Sequence, residues 1–131
     1  MARAQTHMAS RQGALWSLGC RPFFLAAALW AACAVPLWLA VFTTGAALPS
    51  RFAPMGWHIH AMLFGFVPAA LAGFLLTALT NWTGRPAICG SRLQGLFVLW
   101  FAGRMACLFS AQLPLPLVAS IDVAFPMALC A

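Results

Sequence analysis

The chain has 131 residues, 64% of them hydrophobic, and 6% charged against a usual share of roughly 25%. Its net charge of +6 comes entirely from arginine, and Asp122 is the sole acid. This composition excludes a water-facing globular surface. The scattered arginines give no clustered phosphate footprint and exclude nucleic acid as a partner. With one acid, paired-carboxylate acid/base catalysis and an oxygen-rich Mg²⁺ or Ca²⁺ cage are also excluded. A polytopic membrane protein is the class that remains, with the lipid bilayer as its surround.

Residues 1–17 read as a polar tail with Arg3, His7 and Arg11, assigned to the cytoplasm by the arginine count below, and residues 18–131 as the transmembrane region. A secretory signal is not expected, because the first apolar run is too long for one. That run, Phe23 to Phe42, is uncharged and long enough as a helix to cross ~30 Å of hydrocarbon. Pro22 suits its first turn, and Pro36 is expected to kink or unwind its outer end. Ala27, Ala28, Ala31, Ala32 and Ala34 offer small residues for close helix contact.

Gly45, Pro49, Arg51, Pro54 and Gly56 mark a loop over residues 43–57, with Trp57 as an interfacial anchor. The second run, Ala61 to Thr80, carries Gly65, Ala69 and Gly73 at every fourth position, a smooth helix-packing face. Pro68 predicts a kink near its middle, and Gly84 and Pro86 stop it. The third run, residues 93–113, contains Arg104, and Pro114 and Pro116 make a short connection to a fourth over 116–131. The fold class is therefore all-α, a transmembrane bundle of three full spans plus a truncated fourth. The chain reads as the N-terminal piece of a longer protein, whose remaining helices would be its helix–helix partners.

Five arginines (Arg3, Arg11, Arg21, Arg85 and Arg92) fall on one side and Arg51 alone on the other. The N-terminus is therefore expected in the cytoplasm, and His58 and His60 at the outer face.

Those two histidines carry the candidate chemistry, since imidazole suits haem iron and copper. On a continuous helix, side chains two apart diverge by ~200°, so one metal cannot take both. In an extended segment they share a face and can chelate together. In the helical case His58 aligns with Met62, offering nitrogen and thioether on one side. The alternative for the pair is an interfacial role, bonded to water or headgroups.

Arg104 would cost roughly 2.5–3.5 kcal/mol at a bilayer centre, so it must face the bundle. Asp122, across the tight turn with a depth mismatch of ~5 Å, is its expected partner in a structural ion pair. The alternative role for Arg104 is to bind a cofactor by anchoring a haem propionate or an oxyanion. The tryptophans read mainly as interface and packing residues, with a stacking role open for Trp100. Met105 reads as packing. The five cysteines show no paired spacing, and no disulfide framework or zinc site is expected; Cys33, Cys107 and Cys130 read as small hydrophobes.

Four stretches resemble the NnrS family. They are Leu18-Gly19-Cys20-Arg21-Pro22-Phe23-Phe24, the run from Trp57 to Phe66, the run from Gly73 to Pro86, and Ala102-Gly103-Arg104 with Ile121-Asp122-Val123-Ala124-Phe125. The resemblance implies a multi-pass protein of the bacterial inner membrane that binds haem and copper and serves the response to nitric oxide, with nitric oxide as a ligand. It implies His58, His60 and Met62 as metal ligands, with Trp57 and Arg104 beside the cofactor. Where the family motif reads His-x-His-Glu-Met, this chain has Ala61 in place of the acid. The resemblance identifies no settled reaction. Two other functions are open to the same residues: a transporter or channel with Arg104 and Asp122 lining a polar path, and a structural subunit docking through Gly65, Ala69 and Gly73.

Overall fold

Apolar runs bounded by glycine and proline fold as four helices in a computed structural model that describes residues 15–130. Arg3, His7, Arg11 and most of the N-terminal tail lie outside the described residues, as does Ala131. No strand occurs among the described residues. Helix α1 spans Cys20–Thr44 and continues through Pro36 as helix, without the expected local unwinding. Gly45 ends it in the left-handed conformation (φ 71°), its N–H donating to the Val41 carbonyl. The Thr43 and Thr44 hydroxyls donate back to carbonyls of Leu39 and Ala40, so these polar side chains at the helix end are satisfied within the helix itself.

Helix α2 covers Pro54–Thr83 and begins seven residues earlier than the apolar run suggests. Pro54 sits in its first turn, where a missing N–H costs nothing, and Trp57 to His60 is helical rather than extended. Within α2, Ala61–Phe66 forms a π segment immediately before Val67 and Pro68. Proline lacks a donor and crowds the carbonyl one turn back, and a widened turn relieves both strains. The disturbance expected at Pro68 thus takes the form of a π segment on its N-terminal side.

Helix α3, Ser91–Leu108, stops five residues short of the expected Leu113, and α4 is Leu115–Cys130. The turn that follows is tied to the α1–α2 loop. Arg51 Nε donates to the Ser110 carbonyl at 2.7 Å and Arg51 Nη2 to the Leu113 carbonyl at 3.2 Å. Ser110 Oγ accepts from the Arg51 N–H at 2.9 Å and lies 3.2 Å from Ser50 Oγ. These bonds tie the α1–α2 loop onto the α3–α4 turn, and the Ser110 carbonyl is open to Arg51 because Pro114, one turn on, has no N–H.

Phe23, Ala26, Ala27, Ala69, Ala72, Leu76, Leu93, Trp100 and Phe125 form the main core, drawing on all four helices. Outside it, large apolar side chains point away from the protein, among them Leu29, Phe42, Leu63, Val98 and Met127. Helices α1 and α2 are long and apolar enough to cross a membrane, yet only 22% and 28% of their most apolar stretches are buried. The core helix of a water-soluble protein would be mostly covered. Helix α4 is apolar but shorter at 16 residues, and α3 carries Arg92, Gln94 and Arg104.

Candidate metal centre

Gly103 sets the approach of α3 to α4: a Cβ there would stand 3.3 Å from the Asp122 Cα. At that close crossing the Arg104 guanidinium bonds Asp122 Oδ1 through Nη2, and the two side chains are 3% and 8% exposed. The other carboxylate oxygen, Asp122 Oδ2, lies 2.9 Å from His60 Nε2. Asp122 therefore bridges a cation on α3 and an imidazole on α2. Cys107, one turn beyond Arg104 and on the same face, sets its Sγ 4.0 Å from His60 Nε2. The three donor atoms of His60, Cys107 and Asp122 all lie within 4.8 Å of one another.

Aromatic rings fix the imidazole. His60 is stacked on Phe64 with centroids 4.6 Å apart and on Phe52 at 5.3 Å, so its ring lies between the two. Phe52 owes its place to the Arg51–Ser110 tie, which seats the loop. Two indole donors hold the π segment below: Trp30 Nε1 donates to the Ala61 carbonyl and Trp100 Nε1 to the Gly65 carbonyl, each at 2.9 Å. Arg104 Nε and Nη1 are buried with no protein partner among the described residues. Buried donors of this kind hold ordered water or a ligand group in most proteins.

The histidine pair divides. His58 stacks on Trp38 of α1 with centroids 4.2 Å apart, and its buried Nδ1 has no partner among the described residues. His60 instead faces Asp122 and Cys107, so the helix sends the two imidazoles to different neighbours. Met62 packs with the buried cluster of Ala34, Trp57 and Ala61, and Trp57 is 2% exposed there rather than at an open interface. Gly65, Ala69 and Gly73 are buried between helices: a Cβ on Gly65 would meet Trp30 Nε1 at 2.3 Å, and one on Gly73 the Phe24 ring at 3.3 Å.

Sequence reasoning read Cys107 as a small hydrophobe and gave Asp122 a structural ion pair or a place on a polar path, not a ligand role. The available signal was the three-residue spacing from Arg104, which puts the thiol on the face already required to be buried.

Imidazole nitrogen, thiol sulfur and a carboxylate oxygen are a donor set for a late transition metal, and copper fits it. Among the described residues, the apolar cleft of about 280 Å³ lined by Trp30, Cys33, Phe97, Trp100 and Phe101 and that of about 450 Å³ beside Phe24, Phe74 and Trp82 have no imidazole in their walls.

Among the described residues, fold and site together define a helical bundle with large apolar side chains outward and an interior polar cluster of metal-ligand chemistry. The family profile described as NnrS protein matches residues 14–131, nearly the whole chain, and the chain belongs to the NnrS family. Searches of curated proteins and of solved structures return no match.

Proposed function

We propose that this chain is an inner-membrane metal-binding protein of the bacterial response to nitric oxide, with copper as the metal its own residues hold. The observation that carries the reading is the His60–Asp122–Arg104–Cys107 cluster, set inside a bundle that carries large apolar side chains outward. Family membership supplies the connection to nitric oxide.

The chemistry is consistent with that role. Nitric oxide partitions into lipid, and a low-valent metal within the bilayer meets it there; copper bound at such a site supplies coordination or one-electron chemistry. The chain's contribution is to fix the imidazole. Asp122, anchored by Arg104, sets the orientation of His60, while Phe52 and Phe64 restrict the ring. Haem, which family membership also implies, is assigned to no residue of this chain. A polar transport path through Arg104 and Asp122 has less support, since both side chains are engaged with each other and with His60.

In this reading α1 and α2 span the membrane, with α3 and α4 as a third span and a shorter fourth, and the Arg85–Arg92 side faces the cytoplasm. The test uses a bacterium deleted for its own family member and complemented with the full-length protein or its His60→Ala variant. Under a nitric oxide donor, the wild type is expected to shorten growth lag and raise membrane-bound copper, and the variant to do neither. Complementation indistinguishable from an empty vector would overturn the proposal.

A further inference from the structure

We infer that His60 Nε2, Cys107 Sγ and Asp122 Oδ2 form a low-coordinate site for a single Cu(I) ion. This deepens the metal-binding reading above and rests on it.

Charge selects the oxidation state. Arg104 contributes one positive charge, Asp122 one negative, and a metal-bound Cys107 thiolate another negative, leaving a net −1 in a buried apolar setting. A monovalent cation cancels it, whereas a divalent one leaves +1. Uncompensated charge at this depth is expensive, so the cluster favours the monovalent ion. The sulfur donor is compatible with this, because thiolate suits Cu(I) as well as Zn²⁺, and the charge count separates the two.

Geometry agrees. With bonds of about 2.0 Å to nitrogen and about 2.3 Å to sulfur, the donor atoms stand about 3.5 Å apart in a tetrahedron and about 4.3 Å apart in a line. The 4.0 Å between His60 Nε2 and Cys107 Sγ lies between these limits, closer to the two- or three-coordinate arrangements that Cu(I) accepts. Arg104 already occupies the other carboxylate oxygen, which leaves Asp122 Oδ2 as the third donor.

Binding balances as follows. The Cys107 thiol loses its proton to solvent and bonds the ion through sulfur. The proton that neutral His60 shares with Asp122 from Nε2 is replaced by one on Nδ1, freeing Nε2 to bind while the ring stays neutral. One Cu⁺ enters, one H⁺ leaves, and no electron is transferred.

The experiment is anaerobic titration of the full-length protein in detergent with Cu(I) in a competing chelator, read by copper per chain and by the ultraviolet thiolate-to-Cu(I) band. Wild type should show that band and a site that Cys107→Ser and His60→Gln each abolish. Cys33→Ser, on an exposed thiol of α1, should leave it intact. Asp122→Asn should weaken binding roughly 10- to 100-fold, as loss of a supporting carboxylate does. Circular dichroism confirms that each variant is folded, and Cys107→Ala serves if Cys107→Ser is not. Unchanged copper and band in a folded Cys107 variant would overturn the site while leaving metal binding elsewhere intact. Absence of copper from the wild type would overturn both this site and the broader reading. Preference for Zn²⁺ over Cu(I) at the same residues would overturn the charge argument.

Discussion

Asp122 is the residue on which the buried cluster turns, because each of its oxygens answers a different partner. Replacing it by asparagine keeps the shape but leaves Arg104 as an unpaired cation at 3% exposure. Breaking a buried pair from one side costs about 3–5 kcal/mol, so Asp122→Asn should lower stability by that amount in reversible denaturation of detergent-solubilised protein. Replacing both partners by apolar residues of similar volume, Arg104→Met with Asp122→Leu, should recover most of it while still removing the partner of His60. A single variant as stable as wild type would show that the pair is solvated. Arg104 was legible from sequence as a charge that lipid would not accept, and Asp122 as its only possible acid. Cys107 was not, because a cysteine within an apolar run has no local mark separating a ligand from a small hydrophobe. Only the crossing of three helices gives it a role.

At the scale of elements, the π segment of α2 is the least predictable feature and the one most tied to the site. It follows His60 directly, and its carbonyls accept from Trp30 and Trp100 on neighbouring helices. Gly65 is required there: Gly65→Ala would drive a methyl into Trp30 Nε1 and against Arg104 Cδ. We expect a loss of about 1–3 kcal/mol, as for overpacking, together with altered Trp30 fluorescence. Gly56→Ala, whose nearest neighbour would be 4.0 Å away, is the control and should be near neutral. Trp100→Phe should cost about 1–3 kcal/mol by leaving the Gly65 carbonyl without its indole donor. The apolar runs announced all four helices, since hydropathy is a local property. Their ends moved for reasons hydropathy does not carry: α3 stops at Leu108, ahead of the turn that Arg51 ties down, and Pro54 opens α2 about two turns before its apolar run. The split of His58 from His60 followed from that second shift, which made helical a stretch whose sequence allowed either conformation.

For the whole molecule, lipid is the solvent that makes sense of an exterior carrying Phe42, Leu63, Val98 and Met127 outward. In the proposed orientation Cys89, exposed in the α2–α3 connection, lies on the cytoplasmic side. A membrane-impermeant maleimide applied to intact spheroplasts should therefore spare Cys89 and label a cysteine introduced at Ala47 in the α1–α2 loop, best in a background lacking the other thiols. Labelling with the sides exchanged would reverse the orientation. The same bundle explains why family membership and site geometry had to be combined: the apolar exterior says where the protein lies, and the interior cluster says what it can hold. The most direct measurement is X-ray absorption at the copper edge of the copper-loaded full-length protein. One sulfur together with nitrogen or oxygen neighbours, the sulfur vanishing in Cys107→Ser, is the predicted result. A coordination shell of nitrogen and oxygen alone, unchanged by that substitution, would contradict it.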